Sequence, residues 1–323
     1  MMSTVGTESG GSRRYTLGDW HNRSSVRNKK THYALPPAAE VQLQLLTKGW
    51  FPSSFIHYFA HPIIEQASEQ TRHRLAANHL VYFLNYTTIL EHKIVNRAVE
   101  TLIHDELRIE LPHAMKIAAL QLYTDEGYHA LFSYELAEQV ARFYQMPPWD
   151  VPPKRIRLLL GLLDTASDES RPLLWFMVGF VSETIIAKEL LDLTGDTLVS
   201  TVYQMFREHL EDEARHSRYF SEVFQYLWPR LSSTQQLASA SHLIDIILVF
   251  SEVDEQWLAA SLAGAGISAA EAEHVIQHIV APQARARRAR AGATATLQAM
   301  KRAGFFEQQA HRELFSVAGL IDA

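Results

Sequence analysis

The stretch HLEDEARH at residues 209–216 puts two imidazoles and a carboxylate in register. His209, Glu213 and His216 stand at i, i+4 and i+7, and at 3.6 residues per turn those positions share one stripe of a helix. A second pair, in DEGYH, sets Glu126 and His129 at the same i, i+3 spacing as Glu213 and His216. Each pair follows a lone glutamate in an apolar run: Glu91 in TTILEHKIV lies 35 residues before Glu126, and Glu183 in VGFVSETIIA lies 30 before Glu213. One glutamate from each of two helices and a Glu-x-x-His from each of two others is the donor set of a dinuclear carboxylate site inside a four-helix bundle. A solitary Glu-x-x-His is ordinary surface chemistry, so the weight rests on the repetition.

The chain has no cysteine, which removes disulfides, thiolate catalysis and iron–sulfur clusters. Nitrogen and oxygen donors alone suit iron or manganese. Two ferric ions and one bridging oxide carry four positive charges, which four glutamates cancel, leaving a neutral cluster that an apolar core tolerates. Asp125 and Asp212 directly precede the motif glutamates. Each is expected to accept the free ring N–H of a ligand histidine, with the braces crossed: Asp125 to His216, and Asp212 to His129. His209 adds a seventh donor and would make the two metal positions unequal.

These residues need long rods to aim them. Helical periodicity dominates and no run of alternating strand residues stands out, so the expected class is all-α, a ferritin-like four-helix bundle with additional N- and C-terminal helices. One helix is expected from about Thr71 to Asn96. A second opens at Pro112 and stops at Pro147-Pro148; a third opens at Pro172 and ends near Gly195; a fourth is capped by Asp196 and finishes by Pro229. Residues 1–30 read as a mobile tail and 31–323 as one domain, with the bundle at about 71–229 and a helical extension at 230–323. Arg13-Arg14 has no apolar stretch after it to form a signal segment, and the most apolar run, interrupted by Glu183, is too short to span a bilayer. A cytoplasmic location is expected. A formal net charge of -6 provides no basic field, so neither nucleic acid nor an anionic membrane is an expected partner.

The set E…DExxH…E…HxxxExxH resembles the ferritin-like di-iron amine N-oxygenases, the family of the aureothin p-aminobenzoate N-oxygenase and the chloramphenicol arylamine oxygenase. The resemblance implies two iron ions, oxo- or peroxo-bridged, held by Glu91, Glu126, His129, Glu183, His209, Glu213 and His216. It also implies O2 as oxidant, an external electron donor or redox partner, and a homodimer. The implied reaction takes an amine to hydroxylamine and onward to nitroso, nitro or oxime, in natural-product biosynthesis. The substrate is a free arylamine or an amino acid tethered to a carrier protein.

Residues one turn from the ligands are the expected pocket: Leu84, Thr87 and Thr88 around Glu91, and Gly179, Phe180 and Ala187 around Glu183. No arginine stands on these faces, so they offer nothing to anchor a free aminobenzoate carboxylate. A carrier-bound amino acid needs no such anchor. Arg285, Arg287, Arg288, Arg290, Lys301 and Arg302 cluster near the C-terminus, either as a docking patch for an acidic carrier or as a solvated, salt-bridged face. The same cluster could serve a C–H hydroxylase or desaturase, and a ferroxidase is a further alternative. A radical-generating role would want a tyrosine one turn past His129, where Ser133 stands with Tyr134 adjacent.

Overall fold

The computed structural model describes residues 15–28, 32–193 and 197–322. Short helices come first: α1 (Trp20–Arg23), α2 (Ser25–Asn28), α3 (Ala38–Gln44) and α4 (Pro62–Glu65). The first long rod is α5 (Glu69–Ile89), a π segment (Leu90–Val95) and α6 (Asn96–Ile103), in unbroken succession. Ser68 caps it by accepting from the Thr71 amide at 3.1 Å. The second rod is α7 (His113–Phe143); Pro112 occupies its N-cap, one position earlier than a first-turn proline. The third and fourth are α9 (Arg171–Leu193) and α10 (Ser200–Leu227). The expected cap Asp196 lies outside the described residues. Entry to α10 is instead tied by Gly49, whose amide donates to Thr197 O (2.7 Å) and whose carbonyl accepts from Val199 N (3.0 Å).

α5 packs along α7 and α9 along α10, while α6 touches both α7 and α9 and so joins the two pairs. The close approach of α6 to α9 depends on Gly179, where a Cβ would stand 2.6 Å from that of Ala98. Along the α9–α10 seam Phe180 stacks on Phe224 at 4.4 Å. Buried side chains from the N-terminal segment, the bundle and the extension form one contiguous core.

One element departs from the sequence reading. α8 (Lys154–Thr165), unassigned there, buries Ile156, Leu159 and Leu163 at helical spacing. The extension expected at 230–323 opens as two helices over residues 233–264, α11 (Ser233–Phe250) and α12 (Glu255–Gly264), because Asp254 caps the second, accepting from Trp257 N at 3.2 Å. This stretch is long and apolar enough for a membrane span, but it is broken, and α11 packs on α8, α9 and α16 (Gln309–Val317). The extension is completed by α13 (Ala269–Val280), α14 (Pro282–Gly292) and α15 (Thr294–Arg302).

The expectation of a mobile tail is corrected for residues 15–28, which pack on the bundle with Leu17, Trp20, Ser24 and Ser25 buried. Burial of an indole and paired hydroxyls against polar partners outweighs the lack of periodicity in that segment.

Candidate metal centre

The turn that carries Glu91 is wider than an α-helix. π turns are frequent at functional sites, and here the widened turn buries Glu91 together with Leu90, Ile94 and Val95. α7 contributes Glu126 and His129, α9 contributes Glu183, and α10 contributes His209, Glu213 and His216. All seven side chains are at most 1% exposed.

Their donor atoms converge. His209 Nε2 lies 2.9 Å from Glu91 Oε1 and 3.3 Å from Glu213 Oε1. His129 Nδ1 is 3.1 Å from Glu213 Oε1 and 3.7 Å from Glu126 Oε2. His216 Nδ1 stands 2.8 Å from Glu126 Oε1, 3.2 Å from Glu213 Oε1 and 3.7 Å from Glu183 Oε2. Donors bound to one ion at about 2.1 Å stand roughly 3 Å apart, which is the spacing found. Two quartets overlap, one of Glu91, His129, His209 and Glu213, the other of Glu126, His129, Glu213 and His216, each with donor atoms within 4.8 Å of one another. His209 enters only the first, so the two positions are chemically unequal; Glu183 stands beside His216, outside both.

Apart from the 3.2 Å hydrogen bond between His216 Nδ1 and Glu213 Oε1, the donors face each other without bonding. Both oxygens of Glu91, Glu126 and Glu183, Oε2 of Glu213, Nδ1 of His129 and Nε2 of His209 have no hydrogen-bond partner. Each buried unsatisfied group costs about 1–3 kcal/mol, more when charged, so the set calls for positive charge at its centre. Burial raises Glu91 to about 7 against the pull of His209. Burial, then repulsion from Glu213 and Glu126, holds Glu183 well above the carboxylate range. For His129 and His216 burial disfavours the imidazolium, but the surrounding carboxylates outweigh it and both are raised well above an ordinary histidine. Protons hold the places that cations would take.

The histidines are braced from behind, crosswise. His129 Nε2 lies 3.1 Å from Asp212 Oδ2, and His216 Nε2 lies 3.1 Å from Asp125 Oδ2. An Nε2–H donated to each aspartate leaves the Nδ1 lone pair facing the cage. The aspartates are held in turn by residues the sequence reading missed: Trp20 and Ser24 donate to Asp125, while Ser25 and Arg215 donate to Asp212. Arg215 was legible as the i+3 neighbour of Asp212. Nothing local marked Trp20 or the serines.

A family model described as P-aminobenzoate N-oxygenase AurF matches residues 25–304. The chain belongs to the AurF family. It is therefore a non-haem di-iron enzyme that oxygenates amines, and the buried histidine and glutamate groups are compatible with a di-iron site.

A cavity of about 520 Å³ lies at the α5–α9 side of this AurF-family bundle, and none of Leu84, Thr87, Thr88, Gly179, Phe180 and Ala187 lines it. Gly179 is filled by Ala98 and Phe220, and Phe180 by Phe224. Leu84 and Thr87 are buried, Thr88 bonds back to Leu84 O, and Ala187 is half-buried. The cavity is lined by Phe51, Phe55, Phe83 and Phe250 and by the cations Arg155, Lys188, Arg287 and Arg288, with Glu189 beside Arg155. Phe51 and Phe83 both pack on Phe206, one turn before His209. The arginines absent from the ligand faces thus arrive from α8 and α14. Arg288 also donates to Ile279 O at 2.7 Å, while Arg285 pairs with Glu252 and Arg290 with Asp322. Much of the basic segment is therefore engaged within the chain. Tyr134 is 52% exposed on the outer face of α7, away from the cage.

Proposed function

We propose that this enzyme holds its two irons with Glu91, Glu126, His129, Glu183, His209, Glu213 and His216, and oxidises the amine of a small aromatic carboxylate to hydroxylamine and onward to nitroso or nitro. The observation that carries this reading is the convergence of seven buried nitrogen and oxygen side chains from four rods, with their hydrogen-bonding capacity turned inward. Bound iron would supply O2 binding and the electrons for its reduction, replenished by an external donor. The protein's own groups do the rest. The apolar rods exclude water, and Asp125 and Asp212 keep the two braced imidazoles in the tautomer that offers Nδ1.

The cavity supports a free arylamine acid over a carrier-tethered amino acid. Its phenylalanines suit the faces of one ring, and its guanidinium groups suit a carboxylate. His79 and His57 are held neutral there, at about 3 and 4, by burial first and neighbouring cations or each other second. Burial and the nearby cations disfavour an ammonium there and so favour the amine as free base, the form that can be oxidised. A homodimer is supported by the outer face of α7, where Ile117, Leu120, Leu131 and Tyr134 are exposed at helical spacing about Gly127. A place in natural-product biosynthesis and a dedicated redox partner follow from the family resemblance.

The deciding test is reconstitution with ferrous iron, a reductant and 18O2, with 4-aminobenzoate and a carrier-bound amino acid offered side by side. Label on the aryl nitrogen is expected. Label on carbon would favour the hydroxylase reading, and O2 uptake driven by ferrous iron alone would favour the ferroxidase.

A further inference from the structure

We propose that residues 15–28 form a positioning strap that locks the two histidine braces, so that metal retention depends on a segment more than 90 residues from the nearer brace partner it holds. The proposal rests on the reading of the cage as a metal site and goes beyond it in assigning roles to Trp20, Ser24 and Ser25.

Each brace aspartate is gripped from both sides. On one side it meets a cage histidine; on the other it meets the strap. Trp20 Nε1 donates to both oxygens of Asp125, at 3.0 and 2.8 Å, and Ser24 Oγ donates to Oδ1 at 2.5 Å. Ser25 donates to Asp212 Oδ2 through its amide, at 3.1 Å, and through its hydroxyl. Asp125, Asp212, Ser24 and Ser25 are at most 1% exposed and Trp20 is 8% exposed. The strap holds Asp125 through both oxygens, whereas it holds Asp212 through Oδ2 and Arg215 of α10 holds Oδ1; a carboxylate held at both oxygens cannot rotate, so the imidazole it accepts from is fixed in ring orientation as well as in tautomer.

Consecutive serines serve opposite half-sites. Ser24 reaches the brace of His216 and Ser25 the brace of His129. One turn of chain therefore ties both halves of the cage together, and loosening it would release both rings. The strap is itself pinned: Tyr15 N donates to Glu222 Oε2 (2.6 Å), Arg218 donates to Thr16 O (2.8 Å), and Leu17 is fully buried. All of these contacts land on α7 and α10, the two helices that carry the Glu-x-x-His pairs.

The test uses the full chain loaded with cobalt(II) as a spectroscopic probe, comparing wild type with Trp20→Phe, the double variant Ser24→Ala/Ser25→Ala, and Ser24→Thr/Ser25→Thr. Trp20→Phe keeps an aromatic ring but deletes the N–H, so it carries the test if the double alanine variant does not fold. Metal loss to excess chelator should quicken about tenfold in Trp20→Phe and in the alanine variant, the lower end for lost outer-sphere partners. The cobalt ligand-field bands should shift, and the threonine variant should restore both. A merely structural segment would lower the melting temperature of the metal-free protein and leave the bands in place. Loss rates within twofold of wild type, with unshifted bands, would overturn the strap while leaving the metal site standing. Wild type that fails to take up two equivalents would overturn both.

Discussion

With the proposed ligands, Glu91 and the two braced histidines should exchange protons for metal. Below about pH 7 Glu91 holds a proton, and against burial the surrounding carboxylates raise His129 and His216 well above an ordinary histidine, so that they too favour the protonated form. A divalent ion must displace these protons, so apparent affinity should rise at least about tenfold per pH unit between pH 6 and 7. Anaerobic titration with ferrous or manganous ion measures this; a flat profile would contradict the assignment. The metal-free protein should follow the opposite sign. A folded pKa raised above the ordinary 4.5 stabilises the fold fully below that value, and the stabilisation is lost as pH climbs through about 7. Melting of metal-free protein from pH 5 to 8 reads that slope. At the cavity, Arg288→Leu should raise KM for an aminobenzoate about 10- to 100-fold, the worth of one charge-assisted hydrogen bond, and leave an uncharged arylamine unaffected. The cage was legible in the chain because its donors repeat locally, at i+3 and i+7. Trp20 and Ser25 were not, since their partners lie 105 and 187 residues away.

At the level of elements, the rods were readable from proline punctuation and apolar periodicity, but which neighbour each face meets was not. Gly179 shows the difference. One turn from Glu183, it reads as open space beside a metal or, as small residues in a bundle more often do, as a packing contact. The structure settles on packing: an added methyl would meet Ala98 at 2.6 Å and the Phe220 ring at 3.2 Å. Gly179→Ala should therefore cost about 1–3 kcal/mol through overpacking, and Ala98→Gly in the same chain should recover most of it. Chemical denaturation of the two variants tests the pair. The π turn at Leu90–Val95 was equally invisible, because a wider turn leaves no mark in a short apolar run.

For the whole molecule, the outer face of α7 sets the expected assembly. Leu120 is 53% and Leu131 52% exposed, and Gly127 between them has open space where a side chain would stand, which lets a second α7 approach closely. Leu131→Glu should convert the proposed dimer to monomer in sedimentation velocity without changing the helical content; an unchanged sedimentation coefficient would place any interface elsewhere.

The cavity proposed for the substrate draws its guanidinium groups from α8 and α14, whereas the cage is built from α7, α9, α10 and the π turn. Redox power and choice of molecule are thus written on different stretches of chain. A lineage could exchange the guanidinium-bearing helix for another and acquire a new appetite, while the machinery that handles oxygen passed down unaltered.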